Sequence, residues 1–209
     1  SSDWSSDVCS SDLLVSLCPA PSGLLQPVPL SHQLRELPYP DEEADPWTKL
    51  LLKSRVVFVN APLPKSSPSD KVNTVEADII AEMTVAVYHL SPDTFSSKTT
   101  VGVIVPYRNQ IATVRNAIDR HGISELHDIT IDTVERYQGS QRDVIIYGFT
   151  VQHRYQLEFL TANDLVEDGV IIDPKLNVAM TRAREHLVLV GHAPLLINDE
   201  VFARLIQQL

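Results

Sequence analysis

A chain of 209 residues, 44% hydrophobic and 21% charged, suffices for one well-buried domain and is too short for two of ordinary size. No apolar run approaches the length that crosses a bilayer, and a formal net charge of -10 argues against a uniformly basic, polyanion-binding surface. Much of that charge sits early: residues 1–50 hold eight acids against two bases, and the rest of the chain is close to balance.

The first thirteen residues repeat Ser-Ser-Asp three times without helix or strand period, and read as a disordered or non-native leader. Cys9 and Cys18 have no partner at metal or redox spacing, which suits a reducing compartment or simply no cysteine chemistry; the expected setting is intracellular, cytoplasmic, or nuclear in a eukaryote. The apolar stretch Leu13–Cys18 follows acidic residues, the wrong sign for an export signal. Residues 14–54 form a proline-rich connecting segment, since ten of the 14 prolines fall before residue 71. The folded domain is then expected over residues 55–209.

Val56–Val59 predicts a first strand. Asn73 and Glu76 have capping-box spacing, and Val75, Ile79, Met83 and Val87 recur on one face of the helix that follows. A strand is expected at Val101–Val105, then a helix from Arg108 to His121 with Ile111, Val114 and Ile118 inward. Strands at Ile129–Ile131 and Asp143–Phe149 flank a tight turn around Gly139. Residues 152–173 read as an irregular excursion, followed by a helix over Pro174–Glu185 and a strand at His186–Val190. Short apolar strands alternating with amphipathic helices specify an α/β class, a parallel β-sheet with helices on both faces.

In such a sheet, ligands collect beyond the carboxyl ends of the strands. Two polar clusters are expected there, Pro106–Gln110 and Asp132–Gly139; each alone could be a solvated loop that caps a helix. A third cluster is the helix around Arg182 and Arg184. Leu176, Ala179, Met180 and Ala183 form its core stripe, and the two arginines fall on opposite flanks. They should serve different ends: one reaches a ligand while the other anchors the helix or pairs with an acid.

LNVAMTRAREHLVLVG (176–191) resembles the final motif of superfamily 1 helicases of the branch that includes the nonsense-mediated-decay helicase. ITIDTVERYQGSQRDVII (129–146) is similar to the preceding motif of that branch, VGVIVPYRNQ (101–110) to an earlier one, and Asn73, Glu76 and Ala77 to its Asn-x-x-Glu-Ala element. Together these cover roughly residues 55–195 in the expected order. The resemblance implies the second of two RecA-like lobes, with a P-loop NTPase fold, that clamp Mg-ATP between them and move along single-stranded DNA or RNA, five-prime to three-prime. By the same resemblance Arg182 is the arginine finger, catalytic and ATP-binding. Gln138, Gly139 and Gln141 lie beside the nucleotide, Gln141 standing where many relatives carry a ribose-binding Glu. Thr133, Tyr107 and Asn109 lie along the nucleic-acid track.

No G-x-x-x-x-G-K-[ST] occurs, nor its companion acidic strand, so the first lobe is expected to hold most of the Mg2+ and this chain alone to hydrolyse no ATP. That lobe is expected from the same gene, upstream of a truncated amino end. Rival readings fare worse. A dinucleotide domain needs G-x-G-x-x-G, which is missing, and the seven histidines are too scattered for a metal site. Asp128, Asp132, Glu135 and Asp143 are better read as caps and turn formers than as a nuclease centre. The strongest alternative is a non-catalytic platform that binds nucleic acid or protein; it has no need of Arg182 and Gln138.

Overall fold

The computed structural model describes residues 41–53, 55–137, 140–161, 165–167, 170–172 and 174–209. The leader, the connecting segment up to residue 40 and the turn at Gly139 lie outside them. Five strands, β1 (Val56–Asn60), β2 (Val101–Val105), β3 (Thr130–Thr133), β4 (Arg142–Gly148) and β7 (Ala183–Gly191), form one sheet in the order β1-β7-β4-β2-β3. Every pairing is parallel, as the apolar strand composition requires. Two short strands, β5 (Leu165–Glu167) and β6 (Val170–Ile172), make a separate antiparallel hairpin.

The pleat sends alternate residues to opposite faces. Val101, Val103, Val144, Ile146, Val188 and Val190 pack on one side, under α1 (Pro46–Lys53), α2 (Thr74–Leu90) and α3 (Arg108–Asp119). Ile104, Ile145, Tyr147, Leu187 and Leu189 pack on the other, under α4 (Tyr155–Thr161), α5 (Pro174–Arg182), α6 (Ala193–Leu196) and α7 (Glu200–Gln208). Leu51 of α1 is buried in the first cluster, so the packed unit takes in part of the segment expected to be a connector.

Several boundaries and faces differ from the sequence reading. Excursion 152–173 contains α4 and the β5–β6 hairpin. The helix expected over Pro174–Glu185 stops at Arg182, and β7 begins at Ala183, because β4 offers a parallel ladder that far back. Arg184 therefore belongs to a strand. On α2, Met83 and Val87 are buried but Val75 and Ile79 only half so; the deepest stripe is rotated to Glu76, Ile80 and Ala81. On α3, Val114 and Ile118 are buried, Ile111 is half-buried, and Gln110 is buried instead.

Those two unexpected polar residues share one network. Asn73 caps α2, its side chain accepting the Glu76 N–H at 3.0 Å. The return bond of a capping box is made by another residue: Gln110 accepts the Asn73 N–H at 2.9 Å and donates to the Asn73 carbonyl at 2.8 Å. Glu76 turns instead to Thr150, just past β4, and accepts its N–H at 2.7 Å. Thr150 has φ +54, a strained setting for a β-branched residue that costs on the order of 1–3 kcal/mol. Gly148 is required below: a Cβ there would lie 2.8 Å from the Glu76 Oε1.

The link from β3 to β4 must return from the carboxyl to the amino edge of the sheet, since the strands run parallel. Tyr137 anchors this crossing in the second core cluster. Its ring lies over β2, where a Cβ on Gly102 would meet the hydroxyl oxygen at 1.6 Å and Cζ at 2.8 Å. Burial pushes the Tyr137 hydroxyl up to about 12, with Arg142 acting the other way.

Gly102→Ala should therefore destabilise the chain by about 1–3 kcal/mol. Tyr137→Phe, which removes the nearest atom, should recover part of the loss in a urea-unfolding double-mutant cycle; strict additivity would refute the contact.

Burial raises the Glu76 carboxyl from its ordinary 4.5 to about 8, against the hydrogen bonds from Thr150. Between those values the folded chain holds a proton that the unfolded chain has released. Stability should thus fall as pH rises from 4.5 to 8 and level off above. Denaturant midpoints measured across that range should show the decline, and Glu76→Gln should remove that part of the slope; an unchanged slope would mean the side chain does not titrate there.

Candidate functional site

The sheet has two edges, and the residues of interest divide between them. At the amino edge, β4 and β7 pair in the register Arg142↔Ala183, so Gln141 and Arg182 enter from neighbouring strands one residue earlier. Arg182 is half-buried at the end of α5. Its Nε is buried and has no hydrogen-bond partner among the described residues, as has the Asn177 Oδ1 on the same helix. A guanidinium is a permanently charged, planar donor whose geometry suits carboxylate or phosphate oxygens, and the neighbouring Arg142 Nε is likewise buried without a partner among the described residues. Gln138 and Gly139 lie outside the described residues.

Arg142 makes this edge firm. Its Nη1 donates to the Gln141 carbonyl at 2.8 Å, its Nη2 to the Thr130 Oγ1 at 3.0 Å, and its guanidinium carbon lies 5.6 Å from the Tyr137 ring centroid. Arg184 points elsewhere. It is exposed, with Nη1 3.5 Å from the Asp143 carboxylate, and its carbonyl accepts from Arg55 at 3.1 Å. The expectation that one arginine pairs with an acid is met by Arg184, through strand geometry rather than a helical flank. Among the described residues no three His, Cys, Asp or Glu side chains are grouped to hold a metal ion, and no helix is long and apolar enough to cross a membrane.

At the carboxyl edge lie Thr133, the last residue of β3, and Tyr107 and Asn109, where β2 passes into α3. Of the expected second cluster, Asp132 and Thr133 stand at the carboxyl edge; Gln141, named separately by resemblance, lies across the sheet at the amino edge. Asn109 is exposed, whereas Thr133 is 6% and Tyr107 8% exposed. The Tyr107 hydroxyl accepts from Gln156 Nε2 at 3.3 Å, and burial raises it above the usual tyrosine range. The sequence reading missed the buried Glu76–Thr150 and Gln110–Asn73 pairs, and the exposed rings of Tyr155 and Phe159. A polar residue at core spacing in α3, and two aromatics four apart in the segment read as irregular, were the available signals.

Comparison with known proteins gives the family. The family model described as "AAA domain" matches residues 31–194. The DNA replication ATP-dependent helicase/nuclease JHS1 of Arabidopsis thaliana is 34% identical over 152 residues, 70% of this chain and 10% of that protein. Regulator of nonsense transcripts 1 of Dictyostelium discoideum is 31% identical over 145 residues, 68% of this chain and 10% of that protein. The DNA polymerase alpha-associated DNA helicase A of Saccharomyces cerevisiae is 38% identical over 97 residues, 46% of this chain and 12% of that protein. The chain thus spans about a tenth of the length of these curated relatives. A solved C-terminal domain of a possible DNA helicase from a Lactobacillus strain superposes at TM-score 0.44 and 16% identity, over 76% of this chain and 87% of that one, a likeness too loose to carry weight. With its parallel α/β sheet and its ordered motifs, the chain belongs to the AAA domain family of superfamily 1 helicases, in the branch of the nonsense-mediated-decay helicase.

Proposed function

We propose that this chain is the second RecA-like lobe, residues 55–209 with α1 packed on it, of an intracellular ATP-driven helicase or translocase that acts on single-stranded DNA or RNA. The observation that carries the reading is the buried, unpartnered Nε of Arg182, on the same edge as Gln141. ATP supplies the phosphoanhydride whose cleavage drives the motor, with Mg2+ held mainly by the first lobe. Arg182 acts as the finger that stabilises charge on the terminal phosphate, a task for which a planar, permanently charged fork is suited. Gln138, Gly139 and Gln141 line the nucleotide from the loop before β4. At the opposite edge Thr133, Tyr107 and Asn109 position the sugar-phosphate backbone, contacts that hold a strand without reading its sequence.

The names of the relatives, helicases among them, support the motor reading. A non-catalytic platform has no need of Arg182 and Gln138, both of which the chain carries. In the complete two-lobed protein, Arg182→Ala and Arg182→Lys should both lower nucleic-acid-stimulated ATP turnover by on the order of 10³ or more, with strand binding retained. Arg184→Ala should stay within a few-fold of native turnover and change unfolding free energy by less than about 1 kcal/mol, as an exposed ion pair does. Turnover surviving in Arg182→Ala would sink the finger assignment.

A further inference from the structure

Two amide side chains tie together three loops that leave the carboxyl edge of the sheet. Gln152 Nε2 donates to the carbonyls of Ser69, Asp70 and Val72, at 3.3, 3.1 and 2.8 Å, in the loop between β1 and α2. Gln156, the second residue of α4, is 2% exposed and touches all three loops. Its Oε1 accepts the N–H groups of Gln152 and His153, just past β4, at 2.8 and 3.0 Å. Its Nε2 donates to the Asp70 carbonyl at 2.8 Å and to the Tyr107 hydroxyl at 3.3 Å, with the Thr150 carbonyl at 3.4 Å.

The polarity of the Tyr107 contact follows from this set of partners. An amide can be turned end for end, but backbone N–H groups can only donate, so two of them fix the Gln156 oxygen on their own side. The amide nitrogen is thereby committed to Asp70 and Tyr107, and at this contact the phenol oxygen accepts. The proton of the Tyr107 hydroxyl is left over. Among the described residues that hydroxyl makes no second hydrogen bond. Burial raises it above the usual tyrosine range, so the proton is present at neutral pH. Phe159, stacked on the Tyr107 ring at 5.3 Å and 19°, holds the plane of the ring.

We propose that Gln156 is a positioning residue for strand binding: by donating to the Tyr107 oxygen, it leaves the phenol proton for a phosphate oxygen of the bound strand. This rests on the motor reading above, which puts Tyr107 on the backbone track. An acceptor at position 156 would do the opposite, drawing the proton inward and turning a lone pair toward the strand. A donor aimed at phosphate holds any sequence equally, because the acceptor is the same at every nucleotide.

The test measures ATP turnover of the complete two-lobed protein against the concentration of an oligothymidylate of about 20 nucleotides. Gln156→Met removes donor and acceptor at nearly constant volume. It should raise the half-maximal strand concentration about tenfold, the worth of one hydrogen bond to a charged group, with turnover at saturation within about twofold of native. Tyr107→Phe should raise it by about the same factor, and Gln156→Met added to Tyr107→Phe should change it by less than about twofold. An equal rise in both backgrounds, a fall in saturating turnover at unchanged half-maximal concentration, or no effect of either single change overturns the proposal and leaves the motor reading standing. Gln156→Glu takes its place in the cycle if thermal unfolding shows that Gln156→Met does not fold; if neither folds, the amide is structural only and the proposal is lost. If no strand stimulates native turnover, the motor reading itself falls, and this inference with it.

Discussion

Parallel pairing of β4 with β7 is the constraint on which the other features depend. A parallel ladder aligns the strands' amino ends on one side and their carboxyl ends on the other, so each polar loop is committed to an edge by the strand it precedes or follows. Because β7 pairs back to Ala183, Arg182 arrives beside the loop that opens β4, and Arg184 is turned onto Asp143. Had α5 continued another turn, both arginines would sit on one helix and neither would be fixed at the sheet. The pairing also takes β4 and β7 into the middle of the sheet, with apolar cover on both faces.

The carboxyl edge is held by polar contacts that hydrophobic packing cannot supply. Glu76 and Gln110 are wholly buried, and each clamps backbone from a distant part of the chain: Thr150 by the first, Asn73 by the second. Buried amides and acids of this kind specify one arrangement, since a slipped loop would leave a donor or acceptor dry. The strained backbone at Thr150 shows what the arrangement costs, and the buried carboxyl that accepts its N–H shows how it is held. From this fixed point the chain leads into Gln156 and the exposed rings of α4.

Sequence patterns revealed the α/β class and nearly every strand, because short apolar runs separated by amphipathic helices admit few other folds. They placed Val101–Val105 to the residue. They failed where tertiary contact overrode local periodicity. Val75 and Ile79 have the spacing of a core stripe, yet the sheet selects the face carrying Glu76 and Ile80. The helix boundary at Arg182 was hidden because Ala183 and Arg184 favour a helix on their own, and only the ladder with β4 makes them a strand. The polar motif residues were named through resemblance, but their division between two edges follows from strand direction, which composition does not encode. Exposed aromatics at 155 and 159 were passed over because the surrounding residues show no period.

The passage from Thr133 to Gln141 has a mechanical consequence. Most strands of this sheet are joined through a helix, which can slide or tilt to absorb strain. Between β3 and β4 only residues 134–141 intervene, and Tyr137 pins their midpoint against Gly102. Force applied at either end has little slack in which to dissipate. The carboxyl and amino margins of the lobe are thus joined by a short tether hinged on a phenol ring.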